Sequence, residues 1–255
     1  ETLLRGEKGY NIYLRDAHGR LKERYEDGEY DKDAIAGTDV TTTIDGILQA
    51  YGEQLMKNKV GSLVAIEPAT GEILTMVSSP GIDVSLLADI NKHYKDIVRD
   101  PYKPMFNRAV QSPQPPGSVF KLVNGLIGLQ EGVLTPNTLY GCNRGYVVGN
   151  LRVGCHGHAS PIDMYQSIMM SCNAYYCYVF RSIIYNPKYG SVREGFEKWK
   201  EYTESFGFGR KLDTDIPGEK AGTMPTAERY DRIHGKDRWK FLSIISLSIG
   251  QGEIG

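Results

Sequence analysis

Ser118 and Lys121, three residues apart, are the first pair in the sequence whose types and spacing could carry a reaction. On a helix that spacing puts hydroxyl and amine on one face, a turn apart, where a lysine held neutral by burial can take the serine's proton. Chance produces a serine three before a lysine about once in a chain of this length, so the pair needs neighbours that fit the same chemistry. Ser171-Cys172-Asn173, 53 positions on, is such a neighbour. A lysine-activated serine requires a second element to relay a proton and to hold the substrate's amide, and a hydroxyl and a carboxamide two apart can do both.

Cysteine and histidine form a second constellation. Cys142, Cys155 and Cys172 fall in a short window with His156 and His158, and Cys177 follows five residues after Cys172. Thiolates plus an imidazole suit tetrahedral zinc, and three of these cysteines with one of the two histidines would make a closed structural site. A Cys142–Cys155 disulfide, as in extracytoplasmic proteins, and free thiols are the other readings, and all three stay open. Cys172 lies between Ser171 and Asn173, so a metal bond there would pin the loop carrying both. Cys177, at helical spacing among Tyr175, Tyr176 and Tyr178, reads as a small buried apolar residue, and the tyrosines as packing. His18, His93 and His234 stand alone and read as solvated or locally bonded.

The elements that must position these groups follow from pattern. Pro115, Pro116 and Gly117 break the preceding chain and put Ser118 near the start of a helix, where free amides and the dipole favour developing negative charge. From Val119 to Leu129 the apolar residues run nearly all the way round, which predicts a central helix buried on every side. Upstream, Thr43 offers a cap and Ile44, Ile47, Leu48, Tyr51 and Leu55 recur at helical spacing, predicting an amphipathic helix over 44–58. Ser62–Ile66 and Glu72–Ser78, joined by Pro-Ala-Thr-Gly, read as an antiparallel hairpin, and 10–25 as a smaller hairpin. Residues 81–112 read as a long loop with some helix, 191–205 as an amphipathic helix with Phe196, Trp199 and Tyr202 inward, and 213–238 as a polar loop rich in Gly and Pro. Helix, hairpin and helical region in that order argue for an α+β fold.

Composition bounds the rest. The chain has 255 residues, 30 basic against 31 acidic, and a net charge of -1, which leaves no electrostatic footprint for nucleic acid. No signal peptide and no apolar run of spanning length occur, and no acidic pair stands in a context that argues for paired-carboxylate hydrolysis. The chain starts without methionine and stops at Gly255 in mid-pattern, so it is expected to be a piece of a longer protein.

The serine–lysine pair followed by the serine–asparagine pair is similar to the signature of the penicillin-recognising serine acyltransferases. Thr43-Ile-Asp-Gly-Ile-Leu-Gln49, Glu67-Pro-Ala-Thr-Gly-Glu72, Ser79-Pro-Gly-Ile-Asp83, Asn107-Arg108 and Pro116-Gly-Ser-Val-Phe-Lys121 look like successive landmarks of the class B penicillin-binding proteins. Phe206-Gly-Phe-Gly209, Asp215-Ile-Pro-Gly-Glu219 and Ser248-Ile-Gly-Gln-Gly-Glu253 continue the series in order. Within that class the chain most resembles the elongation-type peptidoglycan D,D-transpeptidases of rod-shaped bacteria. The likeness covers 39–255 as the transpeptidase domain, with 1–38 the tail of an N-terminal pedestal domain or a linker.

The resemblance implies an α+β transpeptidase fold in which an antiparallel sheet packs with helices. It implies that Ser118 attacks the carbonyl between the last two D-alanines of a stem peptide, with Lys121 as base. Ser171 would relay the proton to the leaving amine, Asn173 would bind the substrate amide, and an amine from a neighbouring stem would take the acyl group; β-lactams would acylate the same serine. No cofactor is implied for the chemistry. Zinc is implied as a structural ion on Cys142, Cys155, His158 and Cys172, His158 fitting the family's spacing better than His156. Partners would be a glycosyltransferase and other elongation-complex proteins, and the location the periplasmic face of the inner membrane, anchored by an N-terminal helix. The family's third motif, Lys-Ser/Thr-Gly, does not occur in these residues and is expected after Gly255, so this stretch alone is expected to be impaired. A D,D-carboxypeptidase or β-lactamase relative and a catalytically silent β-lactam-binding or scaffold module are the alternatives.

Overall fold

The computed structural model describes residues 2–255, which divide by contact into two compact units, one ending at Ser79 and one spanning Pro80–Gly255. The first unit holds a short helix α1 (Thr2–Arg5), a hairpin of β1 (Tyr13–Arg15) and β2 (Leu21–Arg24), then α2 (Gly46–Met56), β3 (Gly61–Ile66) and β4 (Ile73–Ser79). β3 and β4 pair antiparallel, as the alternating run predicts, with a register shift at Ala65/Ile66. α2 begins two residues later than predicted, because Asp45 and not Thr43 caps it: the Asp45 carboxylate accepts from the Ile47 and Leu48 amides. Thr43 donates to the Ile73 carbonyl instead, at 2.7 Å. Gln49 bonds α2 to the sheet, accepting from Thr75 Oγ1 at 2.6 Å and the Met76 amide at 2.9 Å. Gly52 makes that approach possible, since a Cβ there would meet Val77 at 3.1 Å.

The second unit is mostly helical: α3 (Ile90–Arg99), α4 (Arg108–Gln111), α5 (Lys121–Gln130), α6 (Met164–Met169), α7 (Asn173–Ile184), α8 (Val192–Ser205), α9 (Ala227–His234) and α10 (Phe241–Ile244). A hairpin of β5 (Gly145–Val148) and β6 (Leu151–Gly154) interrupts it, and 3₁₀ turns cover Val84–Asp89, Gly117–Phe120 and Ile245–Ile249. Its central helix is α7, not the serine helix. Ala174, Tyr175, Tyr176, Cys177, Val179, Phe180, Ile183 and Ile184 are all buried, so α7 has no solvent face over most of its length. α5 buries one face, which meets α7, α8 and the Ile245–Ile249 turn. Its Gly125 faces Tyr176 and its Gly128 faces Val179, while Val119, Leu122 and Leu126 are exposed, Val119 by 70%. An apolar run thus read as burial on every side is burial on one side. The 213–238 stretch also contains a helix, α9, whose start is set by Thr226 accepting from the Arg229 amide at 3.2 Å.

One buried amide ties three segments of this unit together. Asn124 on α5 is fully buried; its Nδ2 donates to the Leu247 and Ser248 carbonyls at 3.1 and 3.0 Å, and its Oδ1 accepts from Trp199 Nε1 on α8 at 2.8 Å. Trp199 packs edge-on against Phe120 and Phe180 and stacks on Phe196. Truncating Asn124 would leave the Trp199 indole N–H and the Ser248 carbonyl without this partner in the core, while the Leu247 carbonyl keeps the Gly250 amide. Asn124→Ala is expected to lower stability by about 1–3 kcal/mol, read as a fall in the urea midpoint at constant slope; an unchanged midpoint would contradict this role.

Candidate active site and metal cluster

Ser118 occupies the 3₁₀ turn Gly117–Phe120, which runs directly into α5 at Lys121, so hydroxyl and amine lie on one side of a continuous turn rather than within one α-helix. In 3₁₀ geometry residues three apart eclipse, which brings them over one another more closely than an α-helix would. The turn is fixed from outside. The Gly117 amide donates to the Gly250 carbonyl at 2.8 Å, and Gly250, at φ +67, leaves no room for a Cβ against Gly117 and Phe120. Gly250 lies within the Ser248–Glu253 landmark, whose part in holding the serine turn is not visible from sequence.

Lys121 is 3% exposed. Its Nζ donates to the Ser171 carbonyl at 2.7 Å, to Ser171 Oγ at 3.1 Å and to Asn173 Oδ1 at 2.6 Å. These three bonds use the full donor capacity of an ammonium group, and among the described residues none goes to Ser118. Burial holds the amine below the ordinary lysine range, while the thiols of Cys155, Cys172 and Cys177 pull the other way. Ser118, Lys121 and Ser171 nevertheless line one cleft of about 240 Å³, with Val119, Leu122, Ile168 and Tyr176 as its apolar wall. Ser118 is exposed at its rim and Ser171 half-buried.

The loop facing Lys121 is built for that position. Ser171 takes φ +47, the left-handed region, which costs a residue with a Cβ about 1–3 kcal/mol and needs support. That support comes from both sides: the Ser171 amide donates to the Ile168 carbonyl at the end of α6, and Cys172 caps α7 by accepting from the Tyr175 amide at 3.3 Å. Asn173 is then oriented by its Nδ2 donating to the Gly154 carbonyl of β6 at 2.8 Å.

Four side chains converge behind this loop. The ligand atoms of Cys142, Cys155, His158 and Cys172 lie within 4.8 Å of one another, and all four cysteines are free thiols, so Cys142 and Cys155 are not bridged. Cys155 Sγ is 3.6 Å from His158 Nε2 and 4.0 Å from Cys172 Sγ. A tetrahedral zinc with bonds of about 2.0–2.3 Å has ligand–ligand edges of about 3.3–3.8 Å, so closing the cluster on an ion needs contraction of at most about 1 Å. The donor set also fits. His158 Nδ1 lies 2.7 Å from the Ala159 carbonyl, which can only accept, so Nδ1 carries the proton and Nε2 presents its lone pair to the cluster. His156, the alternative ligand, is exposed and lies outside the group; its Nδ1 is 4.0 Å from Cys155 Sγ. Burial pushes Cys155 up, but hydrogen bonds from the backbone amides of Asn173 and Ala174, with the neighbouring His158 and Cys142 side chains, outweigh it and hold the thiol at about 7. Burial pushes Cys172 up to about 12. These residues could coordinate a metal ion, and the hairpin β5–β6 that brings Cys142 and Cys155 together carries no pattern strong enough to be read beforehand.

Comparison with known proteins agrees with this geometry. Residues 61–253 match the family model described as the penicillin binding protein transpeptidase domain. The chain is 33% identical over 262 residues to the peptidoglycan D,D-transpeptidase MrdA of Acinetobacter baumannii, covering 99% of this chain and 36% of that protein. It is 28% identical over 263 residues to MrdA of Escherichia coli strain K12, covering 99% of this chain and 38% of that protein. The chain therefore spans little more than a third of the length of these curated relatives. Among solved structures, Pseudomonas aeruginosa PBP2 in complex with WCK 5153 superposes with a TM-score of 0.71 at 28% identity, covering 88% of this chain and 47% of that one. PBP2 of Helicobacter pylori superposes at 0.73 with 24% identity, covering 99% of this chain and 46% of that one, which shows the shared fold.

If the cluster binds a metal, the purified protein carries about one equivalent of zinc by X-ray fluorescence, and Cys155→Ser or His158→Ala removes most of it while His156→Ala does not. Metal-free protein with four titratable thiols would contradict the assignment.

Proposed function

The chain belongs to the penicillin-binding-protein transpeptidase family, in its class B elongation-type MrdA/PBP2 branch, and from that premise we propose that it is the acyl-transfer domain of a peptidoglycan D,D-transpeptidase. The observation that carries this reading is the cleft in which Ser118, Lys121 and Ser171 meet, with the Lys121 amine on Asn173. In the proposed reaction, Ser118 Oγ bonds to the carbonyl carbon between the last two D-alanines of a stem peptide as its proton passes to Lys121. The C–N bond to the terminal D-alanine then breaks, and its nitrogen takes a proton from Lys121 through Ser171. An amine of a neighbouring stem peptide attacks the ester, regenerates the serine and closes the cross-link.

The hydrogen bonds of Lys121 make a definite demand on this mechanism. As an ammonium group it is saturated by three acceptors and has no lone pair to offer. Deprotonation leaves two donors and one lone pair, and Ser171 Oγ, which can donate as well as accept, is the partner able to reverse its bond. Catalytic contacts in substrate-free enzymes are commonly long, so the lack of a Ser118–Lys121 bond is compatible with proton transfer once substrate fills the cleft. Asn173, with Nδ2 on Gly154 and Oδ1 on Lys121, would exchange one of these for the substrate amide.

Cys142, Cys155, His158 and Cys172 would hold a structural zinc ion, whose contribution is to fix the loop that bears Ser171 and Asn173. Residues 39–255 are proposed to belong to the transpeptidase domain and 1–38 to the end of the pedestal that precedes it. A periplasmic location on an inner-membrane anchor is proposed from the family. Among the described residues no helix is long and apolar enough to cross a membrane. Partners are proposed on the same ground: a glycan polymerase and elongation-complex proteins, a second Helicobacter pylori PBP2 structure being of its complex with MreC.

Labelling of the full-length protein with a fluorescent penicillin tests the reading. Ser118→Ala is expected to abolish labelling and Lys121→Ala to slow it by about 10²–10⁴-fold. Because burial lowers the Lys121 pKa, the labelling rate should rise with pH along a limb centred below the ordinary lysine value of about 10.4. Slow loss of label fits a transpeptidase and fast loss a β-lactamase. Unreactive full-length protein would overturn the enzyme reading in favour of a silent scaffold.

A further inference from the structure

The segment from Ala227 to Lys240 concentrates charge in a way the proposed chemistry does not use. Arg229, Arg232, Lys236, Arg238 and Lys240 are all exposed. Arg229 and Arg232 share the outer face of α9 with Ile233, which is 57% exposed, while Ala227 and Tyr230 form its buried face. Gly235, at φ +92, turns the chain and brings Arg238 back over it.

The three acidic residues of the segment are occupied. Arg193 of α8 is ion-paired with Glu228 at 3.5 Å, with Asp231, and with Asp237 at 3.0 Å. Asp231 also accepts from Trp239 Nε1 at 2.9 Å and from the Asp237 amide at 3.0 Å. One guanidinium from a neighbouring helix thus draws all three carboxylates to itself, five outer cations outnumber those three acids, and among the described residues none of the five makes an ion pair. A chain with a net charge of -1 therefore carries a local cationic surface. That surface is anchored: Tyr230 donates to Glu253 at 2.9 Å, three residues from the Gly250 carbonyl that holds the serine turn.

We infer that this surface is an exosite for the polymeric substrate, a peptidoglycan strand whose uncross-linked stem peptides present repeated free carboxylates. The inference rests on the transpeptidase reading, which makes the substrate a polyanion ending each stem in a carboxylate. A single exposed cation–carboxylate pair is weak and screened by salt, but several cations facing a repeating anion bind by avidity and raise the local concentration of stems. The exposed Ile233 adds an apolar contact beside the charges.

Co-sedimentation of the full-length protein with insoluble peptidoglycan sacculi tests this. The protein is expected to pellet in about 50 mM NaCl and to remain soluble in about 500 mM. Arg232→Glu with Lys236→Glu should reduce pelleting by about tenfold or more, with thermal unfolding unchanged because both side chains are exposed. Sacculi whose carboxylates have been amidated should retain none of it. Ser118→Ala should pellet as the unmodified protein does, so loss of acylation and loss of strand binding are read separately. Equal pelleting of the charge variant, retention by amidated sacculi, or capture by phosphatidylglycerol vesicles in place of sacculi would overturn the inference.

Discussion

Most of the second unit can be understood from one requirement: the Lys121 amine is buried, and a buried amine must find acceptors whether or not it is charged. The acceptors come from a single tight loop 50 to 52 residues away in sequence, which must turn through a left-handed serine to present a carbonyl, a hydroxyl and a carboxamide together. α6 ends and α7 begins on either side of that turn, and Cys172 both caps α7 and reaches the sulfur cluster behind it. The strain at Ser171 is tolerable because the segments around it are fixed independently. The loop that presents these acceptors is thereby held in place by the fold itself.

The serine side of the cleft is held by a different set of contacts with the same logic. Gly117 and Gly250 meet backbone to backbone, where a side chain on Gly250 would have no space, and Asn124 binds the Leu247 and Ser248 carbonyls one helical turn further on. The 3₁₀ turn Ile245–Ile249 is therefore a strut for both the serine turn and the lysine helix. Trp199 closes the arrangement from α8, giving the buried amide its remaining partner and filling the space between Phe120 and Phe180.

The parts legible in sequence are those where a local pattern is also the physical cause. The β3–β4 hairpin, α2 and α8 follow from alternation or helical spacing, and Ser118, Lys121, Ser171 and Asn173 stood out as candidates because few residue types can perform acyl transfer. What was not legible depends on partners distant in the chain. Which of two apolar helices is central was settled by packing: α7 is enclosed by α5, α8 and the Ile245–Ile249 turn over most of its length, while α5 meets its neighbours on one face and leaves Leu122 and Leu126 exposed. That His158 and not His156 falls within the sulfur cluster depends on where Cys142 and Cys172 fold against Cys155, and α9 went unseen because its apolar face is only Ala227 and Tyr230 amid charge. Gly250 is a residue whose role, the space it leaves for another backbone, has no signature within its own neighbourhood.

The claim on which the account depends is that the exposed hydroxyl at the rim of this cleft is the nucleophile. Peptide mapping by mass spectrometry of the full-length protein after reaction with benzylpenicillin tests it most directly. The account predicts a single penicilloyl adduct on the peptide containing Ser118, with fragment ions that place it on that side chain. An adduct confined to another residue, or none under conditions where the folded protein is intact, would contradict it.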